Sequence, residues 1–450
     1  MSEWKKVKIG DFLTEREGRY KPDDSKISKY KRLDKIDFSG TIHISDKPTK
    51  TNMIIVHPGD LVISGINVAK GAVAVYQGDE PVCATIHYSS YTFDSSKVDL
   101  EYFKYFVKSP VFIAALQKQV KGGIKTEIKT RHLLPLEVSI PDLQTQQEIV
   151  KKTSLQLKKT EQLSVEIESQ KNYIKQLRQN ILQEAIEGKL TAVWRKSHPV
   201  IKGNPDYDAE ALFEQIQKEH NKSIKVKSRS SNTIQDKLDD DFDLNIPQSW
   251  LFIRLSELGI LERGKSKHRP RNDPSLFTDG KYPFVQTGDV AQSKYFGYEI
   301  QTPSKFYNDF GLAQSKMWCA GTLCITIAAN IAETGFLTYD ACFPDSIVGF
   351  TPFIEGVFST FVRYYIDSIK LILEKYAPAT AQKNINLGIL ETLKIPLPPL
   401  AEQNEIVNQV EKHLQTVSQL ENQITEREQL TKQLMQSILK DAFEGESKNE

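Results

Sequence analysis

The sequence predicts an α+β protein in which two globular units alternate with two long helices, and the helices pair as an antiparallel coiled coil. Three observations predict this. Residues 141–188 align with residues 398–445 without a gap at a constant offset of 257, and 19 of those 48 positions are identical. Both segments carry apolar residues at heptad spacing, and fainter strand-like phrases repeat ahead of each. A chain that repeats unit, helix, unit, helix has an internal pseudo-twofold axis, which makes the two helices antiparallel.

The first unit occupies residues 1–140. Trp4 followed by Ile9-Gly10-Asp11 is repeated as Trp250 followed by Leu255-Ser256-Glu257, and Lys35-Ile36-Asp37-Phe38 sits where Thr287-Gly288-Asp289-Val290 sits later. Pro58-Gly59-Asp60-Leu61-Val62-Ile63-Ser64 matches Ala320-Gly321-Thr322-Leu323-Cys324-Ile325-Thr326, each read as a glycine turn feeding a buried strand. A short helix is expected at Leu100–Lys118, then a polar loop and a strand at Leu136–Ile140.

The first long helix fills residues 141–190. Proline precedes it, glycine closes it, and neither occurs inside it. One seam position holds Ile167, Ile174 and Ile181, the other Ile149, Leu163 and Leu177, with polar breaks at Thr153, Gln156, Thr160 and Gln170. A helix of this length spans roughly 70 Å. Residues 191–245 read as a polar linker with one short helix at Ala209–His220 and a mobile stretch at 222–243.

The second unit covers residues 246–396, with a helix at Phe358–Tyr376 and a strand at Leu393–Leu397. The second long helix fills residues 397–450, with seam positions Val410, Val417, Ile424 and Ile438, and Ile406, Leu420 and Leu434. Two related seams in one chain can satisfy each other.

The formal net charge is +1, but it is unevenly spread. Residues 1–140 carry 22 Lys+Arg against 17 Asp+Glu, while residues 397–450 carry 5 against 10. A nucleic-acid surface must therefore be local. Cys83, Cys319, Cys324 and Cys342 form no C-x-x-C pair and read as idle thiols of a reducing compartment. No secretory leader is evident, and the most apolar stretch, Leu323 to Ala332, is too short to span a bilayer. We expect no metal, no cofactor and no catalytic residue. The Asp/Asn-Pro-Pro-aromatic tetrapeptide of amino-methyltransferases is missing, as is H-E-x-x-H. Gly259-Ile260-Leu261-Glu262-Arg263-Gly264-Lys265-Ser266 fits the phosphate-loop pattern, but Pro270 and Pro274 interrupt the helix that such a loop must feed.

Several phrases carry a resemblance. They are Ile246-Pro247-Gln248-Ser249-Trp250; Tyr282-Pro283-Phe284-Val285-Gln286-Thr287-Gly288-Asp289-Val290; Ala381-Gln382-Lys383-Asn384-Ile385 running into Ile395-Pro396-Leu397-Pro398-Pro399-Leu400; and Glu187-Gly188-Lys189-Leu190-Thr191 followed by Trp194. In this combination, over essentially the whole chain, the sequence is similar to the specificity subunits of type I restriction-modification enzymes. In the first unit Gly122-Gly123-Ile124-Lys125-Thr126-Glu127-Ile128 replaces the Ala-Gln-Lys-Asn phrase.

The resemblance implies two target-recognition domains, each reading half of a bipartite double-stranded DNA site. It also implies two methyltransferase subunits on the helical regions, two motor-nuclease subunits for cleavage, and a cytoplasmic, non-catalytic role with no membrane. A twofold protein reads inverted half-sites about one helical turn apart or more. A coiled-coil scaffold without sequence-specific DNA binding is the alternative.

The densest basic run is Arg263, Lys265, Lys267, His268, Arg269 and Arg271, a Gly/Pro loop suited to phosphates and guanine edges. Gln382, Lys383 and Asn384 follow, because Gln and Asn can pair bidentately with adenine. In the first unit the candidates are Lys121, Lys125, Lys129 and Arg131, with Lys70 beside Gly71. The bland alternatives are a solvated charge run and a hydrogen-bonded helix entry.

Overall fold

The computed structural model describes residues 4–37, 40–67, 72–119, 129–223, 244–354, 358–376 and 384–444. The chain divides into a first unit, Met1–Gln170 with Gln423–Glu450, and a second unit, Lys171–Asn422. Each long helix, Leu143–Ile186 and Leu400–Glu444, therefore contributes to both units.

The first unit contains β1 (Lys5–Lys8), β2 (Leu13–Glu15), β3 (Arg32–Ile36), β4 (Ile42–Ser45), β5 (Met53–Val56), β6 (Leu61–Ser64), β7 (Val73–Val75), β8 (Val82–Thr85), β9 (Tyr88–Phe93) and β10 (Glu137–Ile140). Its central sheet has the order β2-β9-β6-β7, antiparallel throughout. A second sheet has the order β4-β3-β8-β5, and β1 pairs with β10. Every residue of β6 is buried, as its unbroken apolar run predicts. The helix expected at Leu100–Lys118 is two helices, Leu100–Phe106 and Pro110–Gln119. Ser109 makes the break: its hydroxyl donates to the Phe106 carbonyl at 2.6 Å and accepts the Phe112 N–H at 3.3 Å. Pro110, which has no N–H to lose, opens the second helix.

In the second unit lie β11 (Leu251–Arg254), β12 (Gly259–Arg263), β13 (Tyr282–Pro283), β14 (Glu299–Ile300), β15 (Phe306–Tyr307), β16 (Met317–Trp318), β17 (Leu323–Thr326), β18 (Thr334–Leu337), β19 (Ala341–Cys342), β20 (Ile347–Pro352) and β21 (Lys394–Leu397). The central order is β12-β20-β17-β18-β14. Its first four strands repeat β2-β9-β6-β7 with the same antiparallel directions, and β11 pairs β21 as β1 pairs β10. The turns before the central strands are the same to the degree, with φ +85 at both Gly59 and Gly321, a left-handed conformation that glycine adopts without strain. The helix expected at Phe358–Tyr376 is again split, into Phe358–Ser368 and Lys370–Tyr376.

The repeat is looser elsewhere. Lys35 and Ile36 end a strand, and the Asp37 carboxylate accepts the Thr41 N–H at 2.9 Å across the β3–β4 turn. Their expected counterparts Thr287–Gln292 form a helix, in which Asp289 accepts the Gln286 N–H at 2.8 Å. An aspartate closes the backbone in both places, on different structures.

The two long helices run antiparallel. Gln170 accepts from Arg427 at 3.1 Å in the first unit, and Arg178 meets Glu421 at 3.1 Å in the second. One seam position is buried, through Thr153, Thr160 and Ile167 on one helix segment and Ile424 and Thr431 on its partner in the first unit. In the second unit it continues with Ile174 and Ile181, and Val410 and Val417. The other expected position is mixed: Ile406 is buried and Ile149 packs on the first-unit core, but Leu163, Leu177, Leu420 and Leu434 stay 37–49% exposed.

In the first unit the helix ends join the domain core. Leu157, Leu439 and Phe443 pack with Ile9, Phe12, Tyr102 and Phe106, and the Phe443 ring lies 5.2 Å from Tyr102 and 5.5 Å from Phe106. The linker is more structured than its polarity suggests. Ala192–Ser197 and Ala209–Ser223 are helical, and Leu212 and Ile216 are buried. Its start is held by buried Glu402, which accepts from Thr191 Oγ1 (2.7 Å), Arg195 Nε (2.8 Å) and Trp250 Nε1 (2.8 Å). Residues 224–243 lie outside the described residues.

Candidate nucleic-acid interface

In the second unit β12 and β17 both run antiparallel to β20, so both end where β20 begins. That end of the sheet gathers the basic loop after β12, the loop after β17 and residues 343–346. Asn384 joins them through a bridge to Ala328, and the Ile385 N–H donates to the Ile327 carbonyl at 2.9 Å.

The basic loop starts as an extended segment. Gly264 and Ser266 are buried, while Lys265 and Lys267 are exposed, the two-residue alternation of extended backbone. Its amides are already used: Gly264 N–H donates to Ile347 O (2.8 Å), Lys265 N–H to Phe343 O (3.0 Å) and Lys267 N–H to Gln314 O (3.0 Å). A side chain at 264 could not fit, because a Cβ there would lie 2.1 Å from the Pro344 carbonyl oxygen.

The arginines hold the loop together. Arg263 donates to the Asp345 carbonyl, and Arg269 Nη1 donates to the carbonyls of Ser266 (2.6 Å) and His268 (2.8 Å). Arg271 pairs with the Asp345 carboxylate at 2.7 Å. His268 lies 2.8 Å from Asp273, and that hydrogen bond, with the Ser275 amide, holds the Asp273 carboxyl down at about 2. Lys265 and Lys267 have no ion-pair partner among the described residues. Their backbone is pinned by hydrogen bonds, no internal ion pair need be broken to free them among the described residues, and they are suited to phosphate oxygens.

The first unit repeats this arrangement. β2 and β6 end where β9 begins. The loop after β2 reads Glu15-Arg16-Glu17-Gly18-Arg19-Tyr20-Lys21-Pro22, against Glu262-Arg263-Gly264-Lys265-Ser266-Lys267-His268-Arg269-Pro270 after β12. Arg16 turns inward to the buried Asp60 (2.6 Å), which also accepts from Ser90 Oγ (2.8 Å) and the His57 N–H (2.9 Å). Arg19 and Lys21 are exposed without an ion-pair partner among the described residues. Sequence reasoning missed both, although the shared Glu-Arg…Pro frame was there to find them.

Lys129 and Arg131 come to the same sheet end. Thr130, between them, donates to Glu15 Oε1 at 2.6 Å and bonds Tyr91 OH at 2.9 Å. Lys70, Lys121, Lys125, Gln382 and Lys383 lie outside the described residues. The loops after β6 and β17 each carry an asparagine, Asn67 and Asn330. In the second of these loops Ala329 (φ 65) and Ala332 (φ 57) adopt left-handed backbone that alanine enters only under constraint.

The phosphate-loop pattern at Gly259–Ser266 is a β-strand and its extension: Gly259 to Arg263 pair along β20, and the Gly264 and Lys265 amides are spent on carbonyls. That backbone cannot cradle a nucleotide. Cys324 and Cys342 are buried, which raises both thiols. Among the described residues no group of three or more His, Cys, Asp or Glu could hold a metal ion, and no helix is long and apolar enough to cross a membrane.

The "Type I restriction modification DNA specificity domain" family model matches residues 1–175 and 247–430, the two repeated halves. The chain is similar to the type I restriction enzyme StySPI specificity subunit of Salmonella potsdam, 23% identical over 77% of this chain and 65% of that protein. It is also similar to the EcoBI specificity subunit of Escherichia coli, 21% identical over 75% of this chain and 64% of that protein. It thus spans just under two thirds of the length of these relatives. A solved chain from work on complex assembly and conformational transition of the type I R-M system shares the fold, with TM-score 0.59 and 17% identity over 98% of this chain and 97% of that one. With the family model matched across both halves of the internal repeat, the chain belongs to the type I restriction-modification DNA specificity family.

Proposed function

We propose that this chain sets the DNA specificity of a type I restriction-modification complex. Its two recognition units, residues 1–140 and 246–396, each bind half of a bipartite double-stranded target and direct adenine methylation or cleavage by partner subunits. One observation carries the reading: the same four-strand order occurs twice, and each copy carries exposed cations, without an ion-pair partner among the described residues, at the same sheet end. Lys265 and Lys267 in one unit, and Arg19 and Lys21 in the other, make phosphate contacts. Arg263, His268, Arg269 and Arg271 hold the loop against the DNA, and Gln382, Lys383 and Asn384 read or position bases, as do Lys121, Lys125, Lys129, Arg131 and Lys70.

The chain performs no chemistry of its own in this reading. Two methyltransferase subunits dock on the paired helices, two motor-nuclease subunits join for cleavage, and the complex works in the cytoplasm. The half-exposed leucines of the helices, Leu163, Leu177, Leu420 and Leu434, favour such docking. Modification-sensitive sequencing of the host genome, with the gene intact and deleted, tests the proposal. Loss of one bipartite adenine-methylated motif on deletion is the expected result. Unchanged methylation, together with no sequence-specific DNA retention by the assembled complex, would favour a coiled-coil scaffold instead.

A further inference from the structure

The internal repeat exposes a difference between its two copies. In the second unit the linker straps down the place where the second long helix begins. The Leu400 and Ala401 amides donate to the carbonyls of Pro205 (3.2 Å) and Asp206 (3.0 Å). The linker helix Ala209–Ser223 then lies on Leu255–Leu258, with Leu212 and Ile216 0% and 1% exposed. Its end reaches the loop after β20, where the His220 ring is 4.8 Å from Phe353. A cavity of about 150 Å³ lies beside the strap, lined by linker residues such as Trp194, His198 and Tyr207 with Pro399 and Glu402.

Among the described residues, the corresponding surface of the first unit is an open groove of about 360 Å³, between β1, the start of the first long helix and the loop after β9. Val7, Phe12, Ile140, Pro141 and Leu143 give it an apolar floor, and Lys97 stands at its rim. Within the repeat these residues correspond to Val7 and Ile253, Ile140 and Leu397, Pro141 and Pro398, and Leu143 and Leu400, the last of which the strap holds through its amide. One replacement changes how the helix starts. Pro399, which offers no side-chain cap, is Asp142 in the first unit, and Asp142 accepts the Thr145 N–H at 2.9 Å. The first helix therefore caps itself.

We propose that this groove is a protein-docking site, and that its occupant is a short amphipathic helix of a partner polypeptide carrying two aliphatic residues four apart. The second unit shows what such a surface takes: a helix that buries Leu212 and Ile216 one turn apart on one face. The surface is a separate one from the basic sheet end, and the proposal does not depend on DNA binding.

The test uses a probe from the chain itself, a fluorescently labelled synthetic peptide of residues 199–222, titrated into the full-length protein without DNA. Saturable one-to-one binding is expected, weakened at least tenfold by Leu143→Glu. That substitution places an acid in a first helical turn, where it suits the helix, and an unchanged circular-dichroism melting curve confirms the fold. Lys97→Glu, at the rim, should weaken binding more modestly. Absence of binding, or binding that Leu143→Glu leaves unchanged, overturns the proposal. So does concentration-dependent dimerisation that Leu143→Glu abolishes, because a second copy of the chain would then be the occupant.

Discussion

Replacing Lys265 and Lys267 together with alanine isolates the phosphate contribution of the second unit. Both side chains are exposed and make no ion pair among the described residues, while their backbone is pinned to Phe343 and Gln314. The substitution thus removes charge without moving the loop, and surface changes of this kind leave stability within about 0.5 kcal/mol. Each phosphate contact contributes about 0.9 to the slope of log K against log salt, so the double variant should lose about 1.8 of that slope. At 0.15 M salt, counterion release from one such contact corresponds to about 0.7 of a decade, and the pair to roughly a 30-fold loss of affinity. The assay is fluorescence anisotropy on a duplex bearing the motif that sequencing identifies, with the protein assembled with the proposed methyltransferase partner, from about 50 to 200 mM salt. Parallel lines for the native protein and the variant would refute the assignment. Arg271→Ala is the internal comparison. Asp345 already offsets that guanidinium at 2.7 Å, so its slope change should be the smaller.

Three further outcomes follow from the packing and electrostatics. Glu402→Ala removes three hydrogen bonds at a buried site, leaving the Trp250 indole N–H without its acceptor while Arg195 keeps the Gly188 carbonyl, and should cost about 2–4 kcal/mol, read as a lowered thermal midpoint. Phe443→Ala should cost ~3–5 kcal/mol, with hydrogen exchange rising around Tyr102 and Phe106 in the first unit, and unaltered protection there would contradict the packing. His268→Ala should let the Asp273 carboxyl rise from about 2 toward the ordinary carboxylate range, followed by carbon-13 NMR. Because the folded carboxyl titrates below its unfolded value, what the pair contributes is complete above about pH 4 and fades as the pH falls toward 2.

The long helices and their pairing were legible because heptad periodicity is local and the offset of 257 has no gap. Strands β6 and β17 were legible for a similar reason: a glycine turn and four buried residues are written consecutively. The sheet order was not. Strands such as β13, β15, β16 and β19 are two residues long, and their partners lie far away in sequence, so no short window contains the pattern. Heptad spacing also failed to show that Leu163 and Leu420 would stay half exposed, because burial there depends on the partner helix. At the basic loop, composition identified the charges, but only the fold separates Lys265 and Lys267 from the arginines spent on Asp345 and on loop carbonyls. In the first unit charge density misled, since Arg19 and Lys21 sit among acids that dilute the run.

The order of the chain within the two units sets the order in which they can be finished. The second unit is a single stretch, Lys171–Asn422, inserted into the first, which needs both Met1–Gln170 and Gln423–Glu450. The first globular unit leaves the ribosome early, yet Leu439 and Phe443, which complete its core, are made about 300 residues later, a wait of roughly 15–60 s at 5–20 residues per second. During that time Tyr102 and Phe106 have no Phe443 to cover them. The domain made first is thus the last to close, and losing the end of the chain should unfold its beginning.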